Sequence, residues 1–141
     1  MLMFPQTSIG FIDGIIRSTH NLSSTTWVIY SPSDELVSIH GICRGSTKNN
    51  IAEYSVAIQL LANAITFGIQ CLIIRLDSQL VVLHLNGVYT VRGPTMLRVF
   101  LQVLLLERKF DYIEYQHISR YLNTLTDALA NHLLNRDSQH L

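Results

Sequence analysis

Ten acidic residues occur among 141, few enough that each position can be asked what it is for. Four stand where side chains meet chemistry. Asp13 closes an apolar run that begins near Thr7 and precedes Gly14. Glu53 falls in the first turn of a long helical pattern, in Asn49-Asn50-Ile51-Ala52-Glu53. Asp77 follows the apolar run Cys71 to Leu76, and Asp127 opens a last helical run from Thr124. Singly, each has an ordinary explanation. Asp13-Gly14 is a turn dipeptide, Asn50 to Glu53 and Thr124 to Asp127 resemble capping boxes, and Asp77 suits a helix N-cap. Jointly, two acids ending neighbouring central strands and two near helix starts opening on the same sheet edge would repel one another without cations between them. Hard oxygen donors suit Mg²⁺ or Mn²⁺ rather than zinc. Two such ions, about 3.5–4 Å apart, activate a water and stabilise the leaving oxygen of a phosphodiester. The chemistry implied is metal-dependent phosphodiester hydrolysis.

The elements that must hold these acids follow from periodicity. Residues 7–14 read as a strand ending at the Asp13-Gly14 turn. Thr25 to Ser31 and Leu36 to Cys43 are two further β-rich runs, separated by the turn Ser31-Pro32-Ser33-Asp34. From Asn50 the spacing becomes helical, with Tyr54, Ile58, Leu61 and Ile65 on one face and Gly68 as the stop. Cys71 to Leu76 is a short buried strand, Ser78 to Leu85 a helix, and Asn86-Gly87 through Gly93-Pro94 a loop. A helix from about Thr95 to Lys109 has almost no polar face, which predicts burial on several sides or docking against a partner. Asp111 to His117 alternates as a strand, and Thr124 to Leu134 is a final helix. The order βββαβααβα predicts an α/β fold with a five-stranded mixed sheet flanked by helices. One domain is expected, 1–141, with its core at about 8–135.

The acids and their surroundings carry a family pattern. The order Asp13, Glu53, Asp77, Asp127 resembles the Asp-Glu-Asp-Asp signature of type 1 ribonuclease H. The flanks match too: Asn49-Asn50-x-x-Glu53-Tyr54, Asp77-Ser78-Gln79-Leu80-Val81, and His117-x-x-Arg120-x-x-Asn123-x-x-x-Asp127-Ala128-Leu129-Ala130. The loop Leu85-Asn86-Gly87-Val88-Tyr89-Thr90-Val91-Arg92 is similar to that of ribonuclease H domains in plant gypsy-class retrotransposon polyproteins and related plant proteins. The resemblance covers roughly Ser8 to Asn135. It implies a ribonuclease H fold that cleaves the RNA strand of an RNA–DNA hybrid, with the four acids holding two Mg²⁺ or Mn²⁺ ions. It also implies that Asn49, Asn50 and Gln79 contact the hybrid, in part through the RNA 2′-hydroxyl. His117, ten residues before Asp127, matches an accessory histidine that protonates or releases product. Arg120 and Asn123 read as scaffold; His20, His40, His84, His132 and His140 read as structural or surface residues. The segment after Asp13-Gly14 lacks the glycines of the family's turn, and Trp27 replaces a small residue. An alternative is a domesticated copy that keeps the fold and serves as a nucleic-acid- or protein-binding module.

Composition bounds the rest. With 48% hydrophobic and 14% charged residues and a formal charge of zero, the chain is neither disordered nor a basic nucleic-acid module. Two bound divalent ions would bring that balance to plus four, so a nucleic acid would be held weakly and largely through metals. Arg17, Lys48, Arg92 and Arg98 are candidate phosphate contacts, without a basic cluster. Cys43 and Cys71 make no disulfide framework and read as buried thiols. No signal peptide is evident at Met1-Leu2-Met3-Phe4-Pro5. The uncharged stretch Tyr54 to Ile74 reads as a helix followed by a strand rather than a membrane span. The expectation is an intracellular chain, cytoplasmic or nuclear and not secreted, monomeric in isolation. A reverse transcriptase polymerase domain is a possible partner, and no membrane partner is expected.

Overall fold

A computed structural model describes residues 6–17, 22–44 and 49–118, with the side chains of residues 13–17, 22–25, 42–44, 49, 50 and 52 left aside. Three antiparallel strands come first: β1 (Ser8–Arg17), β2 (Leu22–Tyr30) and β3 (Leu36–Arg44). They are followed by α1 (Asn49–Thr66), β4 (Cys71–Leu76), α2 (Gln79–Leu85), α3 (Pro94–Glu107) and β5 (Tyr112–His117). The sheet order is β3-β2-β1-β4-β5, with β4 parallel to both β1 and β5. The mixed sheet matches the expected fold class. The expected last helix, with Arg120, Asn123 and Asp127, lies outside the described residues.

One expectation is corrected at once. β1 does not stop at Asp13-Gly14; both residues sit inside the strand, opposite Thr26 and Thr25. The ladder runs from Ile9↔Tyr30 to Arg17↔Leu22 without a shift. β-branched and apolar residues on both sides (Ile12, Ile15, Ile16, Val28, Ile29) favour the extended state over a turn at a single Asp-Gly.

Cross-strand register sorts the sheet into two faces. Trp27 lies beside Ile12, Ile12 beside Leu76, and Leu76 beside His117; Ile29, Gly10, Ile74 and Tyr115 form the next such row. These rows face the helices, and Ile12, Ile29, Leu72, Ile74 and Leu76 are fully buried there. Gly10 permits the closest helix approach, because a Cβ at that position would stand 3.0 Å from Leu60 Cδ1.

The buried residues of α1 are Glu53, Tyr54, Val56, Ala57, Leu60, Leu61 and Ala64, with Ile58 packed at their margin. The expected face is therefore displaced toward the smaller residues. Ala57 and Ala64 let the helix sit close over β1 and β2, and the bulkier Ile58 is turned partly outward.

Helix α3 is the larger surprise. Gly93, at φ 89°, turns the chain into Pro94 at the helix start. Met96, Val99, Phe100 and Leu106 pack on the core and Val103 is buried, whereas Leu97, Leu101 and Leu105 are exposed, the last at 60%. The helix is thus packed along one side only. The uncharged stretch 54–74 does divide into α1 and β4. Among the described residues, no helix is long and apolar enough to cross a membrane.

Candidate active site

Strand register brings the first and third acids together. The last recorded pair between β1 and β4 is Ile12↔Leu76. Asp13 and Asp77 are the next residues along this parallel pair, Asp77 just past the end of β4 and Asp13 inside β1 where its pairing with β4 stops. This is also where the sheet changes character: β1 pairs antiparallel on one side and parallel on the other. Crevices at such switch points are where open α/β sheets commonly bind ligands.

Connectivity brings the second acid to the same edge. β3 runs parallel to β1, since both are antiparallel to β2, and ends at that edge. Helix α1 starts five residues later and must reach the opposite edge, where β4 begins beside Ser8. Its 18 residues span about 27 Å, enough for that crossing. Glu53 therefore lies near the carboxyl edge of the sheet, at the leading end of the buried stripe.

The two acids with described side chains are not helix caps. Asn50 is already helical, so Glu53 lies beyond the first turn of α1 and cannot close a capping box with it. It is fully buried. At α2, Ser78 is the N-cap, its Oγ accepting from the Val81 N–H at 3.4 Å. Asp77 is left with a different role; its two carboxylate oxygens and Oε1 of Glu53 are shielded from solvent. Burying carboxylates in the charged form is costly without compensating partners or a cation. A pair of hard oxygen donors at a switch point fits a hard divalent cation. Among the described residues, no three His, Cys, Asp or Glu side chains gather as metal ligands; the side chain of Asp13 and all of Asp127 lie outside them.

His117 reaches the same edge on β5. It is paired with Leu76, and the following Ile118 N–H donates to the Leu76 carbonyl at 3.0 Å. Its side chain is exposed. Gln79, the first residue of α2, is exposed beside Asp77. Asn49 and Asn50 are the first two residues of α1, with their side chains outside the description. Next to α2, a groove of about 480 Å³ is lined by Leu80, His84, Val88, Tyr89, Thr90, Arg92 and Met96. It is shaped by the loop after Gly87, whose φ of 75° turns the chain.

Sequence reasoning missed one element of the site's frame. The Tyr54 hydroxyl is hydrogen-bonded to Nδ1 of His84 at 3.0 Å in the interior, with the two rings stacked. Tyr54 follows Glu53 directly and His84 is on the helix that follows Asp77, so the pair ties together the two elements carrying those acids. Burial raises the Tyr54 phenol and lowers the His84 imidazole, so both are held neutral. Thirty residues separate them, and no local pattern announces such a contact. Trp27 is also placed: its side chain is buried under α1 at 4% exposure. Cys71 is a buried free thiol, as expected.

Comparison with known proteins agrees with this fold. The reverse transcriptase-like family model matches residues 11–133. A ribonuclease HI of Halobacterium salinarum is 33% identical over 124 residues, covering 88% of this chain and 62% of its own length. A bifunctional protein of Mycobacterium tuberculosis is 34% identical over 95 residues, 67% of this chain and 26% of its own length. The chain thus spans less than two thirds of each of these relatives. The crystal structure of ribonuclease H1 from Halobacterium salinarum superimposes with a TM-score of 0.84 at 32% identity, over 92% of this chain and 98% of that one. The N-terminal ribonuclease H domain of the Mycobacterium tuberculosis protein gives 0.87 at 26%, over 96% and 99%. A compost-derived ribonuclease H1 solved in complex with an RNA/DNA hybrid gives 0.80 at 27%, over 89% and 94%. These archaeal, bacterial and environmental relatives bear on the type 1 family and do not show the narrower plant gypsy-class likeness. On the match to 11–133, the shared sheet and the relatives' identity, the chain belongs to the reverse transcriptase-like family, among the type 1 ribonucleases H.

Proposed function

We propose that the chain is an endoribonuclease that hydrolyses the RNA strand of RNA–DNA hybrids, with Asp13, Glu53, Asp77 and Asp127 as the ligands of two Mg²⁺ or Mn²⁺ ions. The observation that carries this reading is the register that sets the backbones of Asp13, inside β1, and Asp77, just past β4, next to each other where that parallel pairing stops, with Glu53 buried on the helix that starts at that edge. Such ions, when bound, supply an activated water and neutralise charge on the phosphodiester. The chain's own residues do the positioning. Sheet register holds Asp77 against β1, and the Ser78 cap fixes the helix that presents Gln79 to the hybrid. Asn49 and Asn50, at the start of α1, add contacts that distinguish RNA from DNA through the 2′-hydroxyl. His117, exposed at the same edge, assists product release. Arg92 and Tyr89, exposed beside the α2 groove, extend the hybrid-binding surface. With few cations available, affinity is low and its dependence on salt shallow. In a longer polyprotein, the exposed stripe Leu97, Leu101 and Leu105 is the face this reading gives to a polymerase domain.

The test is cleavage of a labelled RNA–DNA hybrid with Mg²⁺ or Mn²⁺. Asp77→Asn is expected to lose more than about 100-fold in rate, since even outer partners of metal ligands account for 10–100-fold. If wild type and Asp77→Asn are equally inert with both ions, the reading is wrong and the non-catalytic module takes its place.

A further inference from the structure

The helices on either side of Glu53 and Asp77 are joined by a directional contact. Tyr54, the residue after Glu53, is the largest fully buried side chain among the described residues. Its hydroxyl is hydrogen-bonded to Nδ1 of His84, on the helix that starts two residues after Asp77. That helix, α2, is pinned at both ends. Ser78 Oγ accepts from the Val81 N–H at its start, and Asn86 Nδ2 donates to the Tyr115 carbonyl of β5 at 3.2 Å just past its end. Between them, His84 is the polar member of a buried set that otherwise holds Val81, Val82 and Leu85. A buried imidazole costs stability unless it is hydrogen-bonded, and an aliphatic side chain would serve packing alone.

What the hydroxyl and the imidazole add to packing is an angle. Hydrophobic burial is non-directional, whereas a hydrogen bond weakens steeply off line. Ala57, Leu60 and Leu61 hold α1 on the sheet farther along; near its start, Tyr54 fixes how the helix is turned about its own axis. That rotation matters because Glu53 and Tyr54 are successive residues, about 100° apart around the helix, so setting one sets the other. A turn of about 10° moves a carboxylate roughly 6 Å from the axis by about 1 Å. Reacting groups need to be held within about 0.5 Å, and a misplacement of about 1 Å can cost on the order of 100-fold in rate.

We infer that His84 is a positioning residue of the hydrolytic site, which rests on the reading of Glu53 and Asp77 as metal ligands. Through the Tyr54 hydroxyl it sets the rotation of α1 where Glu53 stands. The pinned helix α2 supplies the reference, because it is continuous through Ser78 with Asp77. The bond therefore fixes the Glu53 carboxylate relative to Asp77, and its loss loosens the donor set without removing a donor.

The test uses the whole chain and two readouts: binding of Mn²⁺ alone, followed by electron paramagnetic resonance, and the rate of hybrid cleavage at saturating Mn²⁺. Asp77→Asn identifies the binding that belongs to the acids. His84→Leu and Tyr54→Phe are expected to weaken that binding about tenfold and to slow cleavage about 10- to 100-fold, at a temperature where circular dichroism shows each chain folded. His84→Asn, whose amide stands where Nδ1 does and can donate or accept, restores most of both. The double variant Tyr54→Phe with His84→Leu leaves no buried partner unsatisfied and so regains stability. It is expected to stay weak in Mn²⁺ binding and slow in cleavage, and it carries the test if a single variant fails to fold. A double variant that recovers Mn²⁺ binding along with stability marks the bond as structural only and overturns the inference. So do single variants that bind Mn²⁺ and cleave as wild type does, or a His84→Asn chain no better than His84→Leu. All of these leave wild type active. A wild type that neither cleaves nor binds Mn²⁺ in a way Asp77→Asn abolishes overturns the reading of the acids themselves, and the role of His84 with it.

Discussion

Removing the hydroxyl of Tyr54 would separate the lock between α1 and α2 from everything else the ring does. In Tyr54→Phe the fully buried ring stays, and the 3.0 Å hydrogen bond to His84 Nδ1 goes. A typical internal hydrogen bond contributes about 0.5–1.5 kcal/mol, and leaving its buried partner unsatisfied raises the cost to about 1–3 kcal/mol. His84 is 6% exposed, so little water can replace the lost partner. For a chain of this size that amounts to roughly 3–4 °C in Tm per kcal/mol. Urea denaturation of wild type, Tyr54→Phe, His84→Leu and the double variant measures it. The double-variant cycle should show a coupling of about 0.5–3 kcal/mol. The pH dependence follows in sign. Burial holds the folded imidazole below its ordinary pKa, so the unfolded chain, titrating near about 6.5, binds protons that the folded chain refuses. Stability is therefore full above about pH 6.5 and is lost as pH falls toward the folded pKa. If hybrid cleavage depends on this lock, Tyr54→Phe lowers its rate at temperatures where the chain remains folded. The reasoning fails if Tyr54→Phe lies within about 0.5 kcal/mol of wild type, or if the two single effects simply add.

Two further substitutions test the packing. Gly10→Val places methyl groups where a Cβ alone already meets Leu60 at 3.0 Å, so a loss of about 1–3 kcal/mol is expected. Combining it with Leu60→Ala should cost less than the sum of the two single effects, and strict additivity in urea melts would contradict the close approach. The Glu107 carboxylate accepts from the Tyr115 hydroxyl at 2.7 Å, yet burial pushes its pKa up, with the Tyr115 bond opposing. A raised carboxyl pKa makes charging cost stability as pH rises through it. Glu107→Gln keeps an acceptor without the charge, so its Tm should equal or exceed that of wild type at pH 7. Below about pH 4.5 that advantage should vanish; a marked loss at pH 7 would show the charged hydrogen bond to be the larger effect.

Local patterns carry much of this molecule. β-rich runs parted by a turn mark β2 and β3, a short apolar run marks β4 and alternation marks β5, helical spacing and Gly68 mark α1, and Asn86-Gly87 marks the end of α2. These signals are legible because burial on one face repeats every two residues in a strand and every three to four in a helix. The order of the acids was equally open to reading, since it is a property of the chain. Asp13-Gly14 misled because a turn dipeptide is a local preference, and nine cross-strand pairs with β2 outweigh it.

What periodicity cannot decide is which of several apolar faces is covered. In α3, Leu97, Leu101 and Leu105 match the buried residues in kind and differ only in what lies opposite them. In α1, close approach at Gly10 and the two alanines, rather than hydrophobicity, selected the inward stripe and carried Glu53 inside. The sequence by itself determined the elements, their order and the identity of the candidate acids, because these depend on neighbours a few residues apart. Only the tertiary structure decided that Ser78 rather than Asp77 caps α2, that Tyr54 meets His84, and that Asn86 ties the end of α2 to β5. Each of these is a meeting of groups set by packing or by local geometry that residue type alone does not encode.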